Sequence, residues 1–252
     1  MALPPPTIRL YAVGGMTDGI IERPSPNFDE RKQPISMIVL HYTGMVDVAS
    51  AIERLTDPAT KVSSHYLIAE DGKVYRLVSE QKRAWHAGRA HWRGIDDVNS
   101  ASIGIELVNP GHEYGYRPFS EPQMEALLPL MARIVSRYSI TRGNIVGHSD
   151  VAPARKDDPG ELFDWERLAK LRLALPRPRK HLTDPLWSDA SFLLALERFG
   201  YDVVDREAAV RAFQRRFRPE MVDGVIDGEC RAILLSLLTG GDKGAEARLG
   251  RG

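Results

Sequence analysis

The chain has 252 residues, enough for one full hydrophobic core and a small second module. Its charges cancel, 34 basic against 34 acidic, so no global field argues for nucleic acid or an anionic membrane surface as partner. The single cysteine, Cys230, excludes an internal disulfide and any cysteine-rich metal site, and reads as a small apolar side chain in a C-terminal helix.

In chain order, MALPPPTIRLYAVGG lacks the basic start and long apolar core of a secretory signal. No stretch approaches the roughly 18 apolar residues of a transmembrane segment. Residues 1–34, rich in Pro and Gly, read as an extended arm with turns. Ser36–His41 holds the apolar run MIVL and fits a buried strand with His41 at its end. Val48–Leu55 has helical spacing and stops at Asp57-Pro58. Ser64–Ala69 and Lys73–Val78 flank Glu70-Asp71-Gly72, the strongest short hairpin signal in the chain. Trp85–Trp92 (WHAGRAHW) reads as a loop whose aromatic and histidine side chains could line a cleft. Ala101–Val108 is a further strand, ended by Asn109-Pro110-Gly111. Ser120 followed by Gln123 is a capping box that opens a helix running to about Tyr138. Its apolar stripe includes Met124, Leu127, Leu128, Met131, Ile134 and Val135.

Asn144–Gly147 is a short strand that delivers His148, and Asp164–Leu175 reads as a helix. The basic, Pro-containing LPRPRKH run (175–181) is the best boundary in the chain. Beyond it, Ser188–Phe199, Arg206–Phe217 and Glu229–Leu238 are amphipathic helices, and GGDKGAEARLGRG is too polar and Gly-rich to pack. The expected class is therefore α/β, a mixed β-sheet flanked by helices plus a small all-α three-helix C-terminal domain. Expected boundaries are an arm at 1–34, a main domain at 35–176, a helical module at 177–240 and a disordered tail at 241–252.

The chemistry concentrates in HSDVAPARKDD (148–158) together with His41. Two histidines and a carboxylate, with a position left open, form the pattern of a catalytic rather than a structural zinc. His41, His148 and Asp158 are the candidate ligands. Glu106, in the apolar run SIGIELV, and Lys156 are the ionisable groups placed to act beside such an ion. Each has a plainer alternative. A lone histidine at a strand end is more often structural, Asp157 competes with Asp158 by a one-residue slip, and Glu106 could face solvent. His65 reads as a packed or hydrogen-bonded histidine, while His86, between Trp85 and Gly88, is open between substrate contact and structure.

Five motifs, IVLHYTG, SSHYLIAEDGKVYRLV, RAWHAG, SIGIELVNPG and GHSDVAPARKDDPGELFDW, occur in order between about Met37 and Leu171. Together they resemble the type 2 N-acetylmuramoyl-L-alanine amidases of the AmpD/AmiD group, relatives of the peptidoglycan recognition proteins. The resemblance implies a mixed sheet with helices and cleavage of the amide between N-acetylmuramic acid and L-alanine of the stem peptide. It implies one Zn2+ per chain held by His41, His148 and Asp158, with Glu106 as general base and Lys156 at the oxyanion. Some relatives have Tyr near the position of Ser64 and lack the Glu, and many use Cys as third ligand. Glu106 and Asp158 place this chain with the AmpD/AmiD branch. Tyr42, Trp85, His86 and Arg155 are expected to contact substrate. AVRAFQRRF…VDGVIDG resembles a three-helix peptidoglycan-binding domain, which points to work at the cell wall although no signal is read. The alternative function is a non-catalytic muropeptide-recognition protein.

Overall fold

Alternation along two parallel strands creates the two faces on which the molecule is built. In the computed structural model, which describes residues 19–178 and 180–240, β3 spans Met37–Tyr42 and β7 spans Ser102–Leu107. Successive side chains of a strand point to opposite faces. Ile38 and Leu40 of β3, with Ile103, Ile105 and Leu107 of β7, enter one core cluster, whereas Met37 and Val39 enter another. His41 follows Met37 and Val39 in that alternation, and Glu106 follows Ser102 and Gly104. The polar positions of both strands therefore share one face.

The sheet has six strands in the order β1-β5-β4-β7-β3-β8. Here β1 is Ile20–Glu22, β4 Tyr66–Ile68, β5 Val74–Arg76 and β8 Ile145–Gly147. The expected hairpin is β4–β5, antiparallel with Leu67 opposite Tyr75. β3 pairs in parallel with β7 on one side and β8 on the other. A separate antiparallel pair joins β2 (Phe28–Glu30) to β6 (Lys82–Ala84). The described part of the expected N-terminal arm thus contributes two strands; its first 18 residues lie outside the described ones, as does the expected tail at 241–252.

Helix α1 is Val48–Thr56, capped by the Asp47 carboxylate accepting from Ser50 N–H. The short α2 (Val98–Ala101) leads straight into β7, and α3 is Gly111–Tyr114. The capping box at Ser120 and Gln123 opens α4, Glu121–Tyr138, whose Met124, Leu127, Met131 and Ile134 cover one sheet face. Directly after β8 comes α5, His148–Val151. The expected helix Asp164–Leu175 is shorter, α6 being Trp165–Lys170. Arg172 adopts φ +61°, and Leu173 N–H reaches back to Leu168 C=O, a Schellman closure that ends the helix while Leu173 and Leu175 still bury themselves. Apolar spacing read the buried residues correctly but could not see the left-handed turn.

The C-terminal helices α7 (Asp189–Phe199), α8 (Arg206–Phe217) and α9 (Gly228–Gly240) match the expected positions to within two residues. They do not hang apart from the sheet. Phe192, Leu196, Phe213 and Phe217 belong to the same cluster as Met37, Val39 and Val146, bridged by Trp92 and Tyr201. Among the described residues no helix is long and apolar enough to cross a membrane.

His65 is fully buried, its Nδ1 accepting from Gly104 N–H and its Nε2 donating to Lys82 C=O. Burial, then the neighbouring Arg31 guanidinium, lowers its pKa to about 3. The folded state then binds fewer protons than the unfolded chain, whose histidine titrates near 6.5. This contribution to stability is intact above pH 6.5 and falls as pH drops from 6.5 towards 3. Urea unfolding of metal-free protein at pH 7 and pH 4.5 should show His65→Asn weaker at pH 7 but with a smaller acid-induced loss than wild type; equal losses would contradict this account.

Candidate metal centre

Three elements deliver three side chains to one point. His41 stands near the carboxyl end of β3, His148 opens α5 where β8 ends, and Asp158 comes from the loop that follows α5. The carboxyl ends of parallel strands are where open sheets present such groups. The Asp158 loop is pinned by Ser149 N–H donating to Asp158 C=O at 2.8 Å. His41 Nδ1 lies 3.0 Å from His148 Nδ1 and 2.9 Å from Asp158 Oδ2, and His148 Nδ1 lies 3.1 Å from the same oxygen. All three residues are buried. These separations approach the roughly 3.3 Å between neighbouring ligands of a tetrahedral ion with bonds of about 2.0–2.1 Å.

The protonation pattern suits a cation. Burial, then the nearby His148, lowers His41 to about 4, leaving a neutral imidazole. Burial works against the Asp158 charge, but His148 and His41 together hold the carboxylate well below its ordinary range. A neutral imidazole at His41, an ionised carboxylate at Asp158 and the His148 ring aimed at the same point form a donor set that fits a divalent metal. Among the described residues this is the one such cluster. Its competitor Asp157 is exposed and pairs instead with Arg215 of α8 at 2.6 Å.

Glu106 sits directly beside His41 in the β3–β7 register. Burial, then the negative charge of Asp158, pushes its carboxyl well above the ordinary value. Its Oε2 is buried without a hydrogen-bond partner, a vacancy that buried polar atoms rarely tolerate outside working sites. Lys156 is half-buried two residues from Asp158, and its charge acts on both Glu106 and His41.

The expected substrate contacts divide. Tyr42 is half-buried, its hydroxyl 2.9 Å from His112 Nδ1 and its ring tilted against Tyr116; burial pushes the phenol up to about 12. His112 in turn meets Glu161. Trp85 is half-buried, its backbone paired with Ser63. Arg155 is exposed, its guanidinium donating to Ala87 C=O at 3.2 Å and to Arg89 C=O. His86 is buried with both ring nitrogens engaged inside the protein, against His41 Nε2 at 3.0 Å and Ser102 Oγ at 3.2 Å.

Sequence reasoning did not find the supporting contacts. His148 Nε2 donates to Ala87 C=O at 3.1 Å. Asp150, on α5, accepts from Gly147 N–H at 2.7 Å and from the Tyr201 hydroxyl at 2.6 Å. One signal was available. Gly104 interrupts an apolar strand, and a glycine there marks close approach; a Cβ at Gly104 would stand 2.5 Å from the His86 ring.

A family model described as N-acetylmuramoyl-L-alanine amidase matches residues 31–161. The chain is 38% identical over 252 residues to the N-acetylmuramoyl-L-alanine amidase AmiD of Escherichia coli K12, covering 87% of this chain and 90% of that one. It is 36% identical over 163 residues to the 1,6-anhydro-N-acetylmuramyl-L-alanine amidase AmpD of Haemophilus influenzae, covering 57% and 86%. Among solved structures, E. coli AmiD in complex with the substrate anhydro-N-acetylmuramic acid-L-Ala-D-γ-Glu-L-Lys superposes with a TM-score of 0.73 at 37% identity, covering 84% of this chain and 97% of that one. AmpDh3 from Pseudomonas aeruginosa gives 0.72 at 33% identity, covering 82% and 92%.

The geometry makes metal retention depend on all three donors. Dialysis of divalent-metal-loaded protein against a chelator should strip His148→Ala and Asp158→Ala far more readily than wild type, by more than the roughly 10–100-fold that a merely supporting residue costs. Retention by either variant equal to wild type would exclude the cluster as the site.

Proposed function

The chain belongs to the N-acetylmuramoyl-L-alanine amidase family, and we propose that it hydrolyses the amide joining N-acetylmuramic acid, 1,6-anhydro forms included, to the L-alanine of the peptidoglycan stem peptide. It is an amidase of that class, serving cell-wall turnover or recycling. The observation that carries the reading is the convergence of His41, His148 and Asp158 beside the buried, unpartnered Glu106. A muropeptide substrate is supported by the E. coli AmiD complex, matched along almost the whole of that chain.

The two-imidazole, one-carboxylate set suits one zinc per chain held by these three residues. When bound there, zinc supplies Lewis acidity, which polarises a carbonyl and makes water more acidic. The remaining work falls to the chain itself. Glu106 is desolvated, and burial raises it well above the usual carboxyl value, the direction that strengthens a carboxylate as a base. In this reading it takes a proton from the attacking water and hands it to the departing L-alanine nitrogen. Lys156 presents a point charge to the amide oxygen as negative charge develops on it. Tyr42, half-buried and next to His41 in β3, is the expected substrate contact favoured in this reading. Helices α7–α9 are read as a peptidoglycan-binding module, supported by the resemblance of AVRAFQRRF…VDGVIDG to such domains.

Mass spectrometry of products from a soluble anhydro-muropeptide and from intact sacculi tests the reaction. Free stem peptide is expected from the former, and release from the latter as well supports the module's role at the wall. Glu106→Gln should lower kcat by about 10²–10⁴-fold with metal retained, and Lys156→Ala by about 10²–10³-fold. Because a base must be ionised, the wild-type rate should climb with pH through a limb above the ordinary Glu value, and Glu106→Gln should lack that limb. Near-full activity of metal-loaded Glu106→Gln would remove Glu106 from its assigned role.

A further inference from the structure

Behind the metal centre, a chain of hydrogen bonds has only one consistent direction. The Ser102 hydroxyl lies 2.5 Å from Val98 C=O and 3.2 Å from His86 Nε2. A carbonyl can only accept, so the single hydroxyl proton is committed to Val98, and Ser102 Oγ can only accept from the ring. His86 therefore carries its proton on Nε2 and offers a lone pair at Nδ1. That lone pair lies 3.0 Å from His41 Nε2, which must then be the protonated nitrogen of His41. The consequence appears on the other side of the His41 ring: Nδ1 is bare and faces His148 Nδ1 and Asp158 Oδ2.

We propose that His86 is a positioning residue that, through Ser102 and the Val98 carbonyl, locks His41 in the tautomer whose Nδ1 is free to bind the metal. The proposal rests on the metal reading above and extends it. Both ring nitrogens of His86 are taken up by His41 and Ser102, and His86 is not among the three converging donors. It acts through His41, as outer partners of metal-binding histidines generally do.

The surroundings of His86 are built for this task. Its ring is buried and edge-on to His41, with centroids 5.1 Å apart. Gly104 leaves the space the ring fills, since a Cβ there would come within 2.5–2.8 Å of three ring atoms. The backbone is fixed as well. Asn99 Oδ1 accepts from His86 N–H at 3.0 Å and from Ala87 N–H at 2.8 Å. The next residue completes the arrangement, because Ala87 C=O accepts from His148 Nε2 and so keeps the proton of the second histidine away from Nδ1 too. Two consecutive residues thus orient both imidazoles, one through a side chain and one through a carbonyl, and one asparagine holds the pair.

A packed core histidine with no such role makes different predictions. Asn at position 86 places its Oδ1 where Nδ1 stands and can still accept from His41, whereas Gln extends its amide towards Ser102 and loses that acceptor. Zinc affinity by chelator competition should fall about 10–100-fold in His86→Ala and His86→Gln, and stay within about threefold of wild type in His86→Asn. The second measurement needs no metal. Imidazole nitrogen NMR of the metal-free protein at pH 7.5 should show His41 as the Nε2–H tautomer in wild type and His86→Asn, and as a mixture in His86→Gln. Equal affinity and equal tautomer populations in the Gln and Asn variants would overturn the proposal, as would His41 protonated on Nδ1 in wild type. Failure of wild type to take up zinc would instead defeat the metal reading, and the tautomer measurement would still decide the role of His86.

Discussion

Three electron-pair donors held 2.9–3.1 Å apart and buried form an arrangement that is unfavourable unless a positive charge completes it. Much of the surrounding structure can be read as what keeps them there. Strand β3 is joined by parallel ladders to β7 on one side and β8 on the other, so the side chains at the carboxyl ends of β3 and β8 have little freedom. The loop bearing Asp158 is tied to α5 through Ser149, and α5 to β8 through Asp150 and Gly147. Each imidazole is restrained by a hydrogen bond on its far nitrogen. A site assembled this way loses little freedom when an ion enters, which is the general condition for a well-directed centre.

The same burial shapes the carboxyl proposed as general base. Glu106 is neighbour to His41 by strand register and is desolvated by the packing that buries His41, His148 and Asp158. Its environment and that of Asp158 push two carboxyl groups in opposite directions, one towards the neutral form and one towards the charged form. Separation of this kind assigns roles to otherwise similar side chains.

The C-terminal helices take part in this support. Tyr201 donates to Asp150 on α5, Arg215 pairs with Asp157 beside Asp158, and the Arg216 guanidinium lies 3.4 Å over the Trp165 ring. Phe199 and Tyr201 pack with Trp92, which follows the His86 loop. A module expected from its sequence to bind glycan is therefore continuous with the core behind the site. LPRPRKH, read as the best boundary in the chain, lies between parts whose buried residues share one hydrophobic cluster.

Local patterns carried much of the fold in the amino-acid order itself. Asp71-Gly72 between alternating runs determined the β4–β5 hairpin, Ser120 with Gln123 determined the start of α4, and apolar spacing determined α7 and α8, because turn geometry, capping and amphipathicity depend on residues close in the chain. The identities of the metal-binding candidates were also legible, since a histidine at a strand end and a carboxylate in a turn-rich loop carry their chemistry wherever they are placed. Their meeting was not. His41 and His148 are 107 residues apart, and only the order β7-β3-β8 makes their strands neighbours. Tertiary structure alone decided that Asp158 turns inward while Asp157 turns to Arg215, that Arg172 ends α6 in a left-handed turn, and that His86 faces His41. Each of these depends on which surface packs against which, and a period of two or of 3.6 residues specifies that a face exists without specifying its partner.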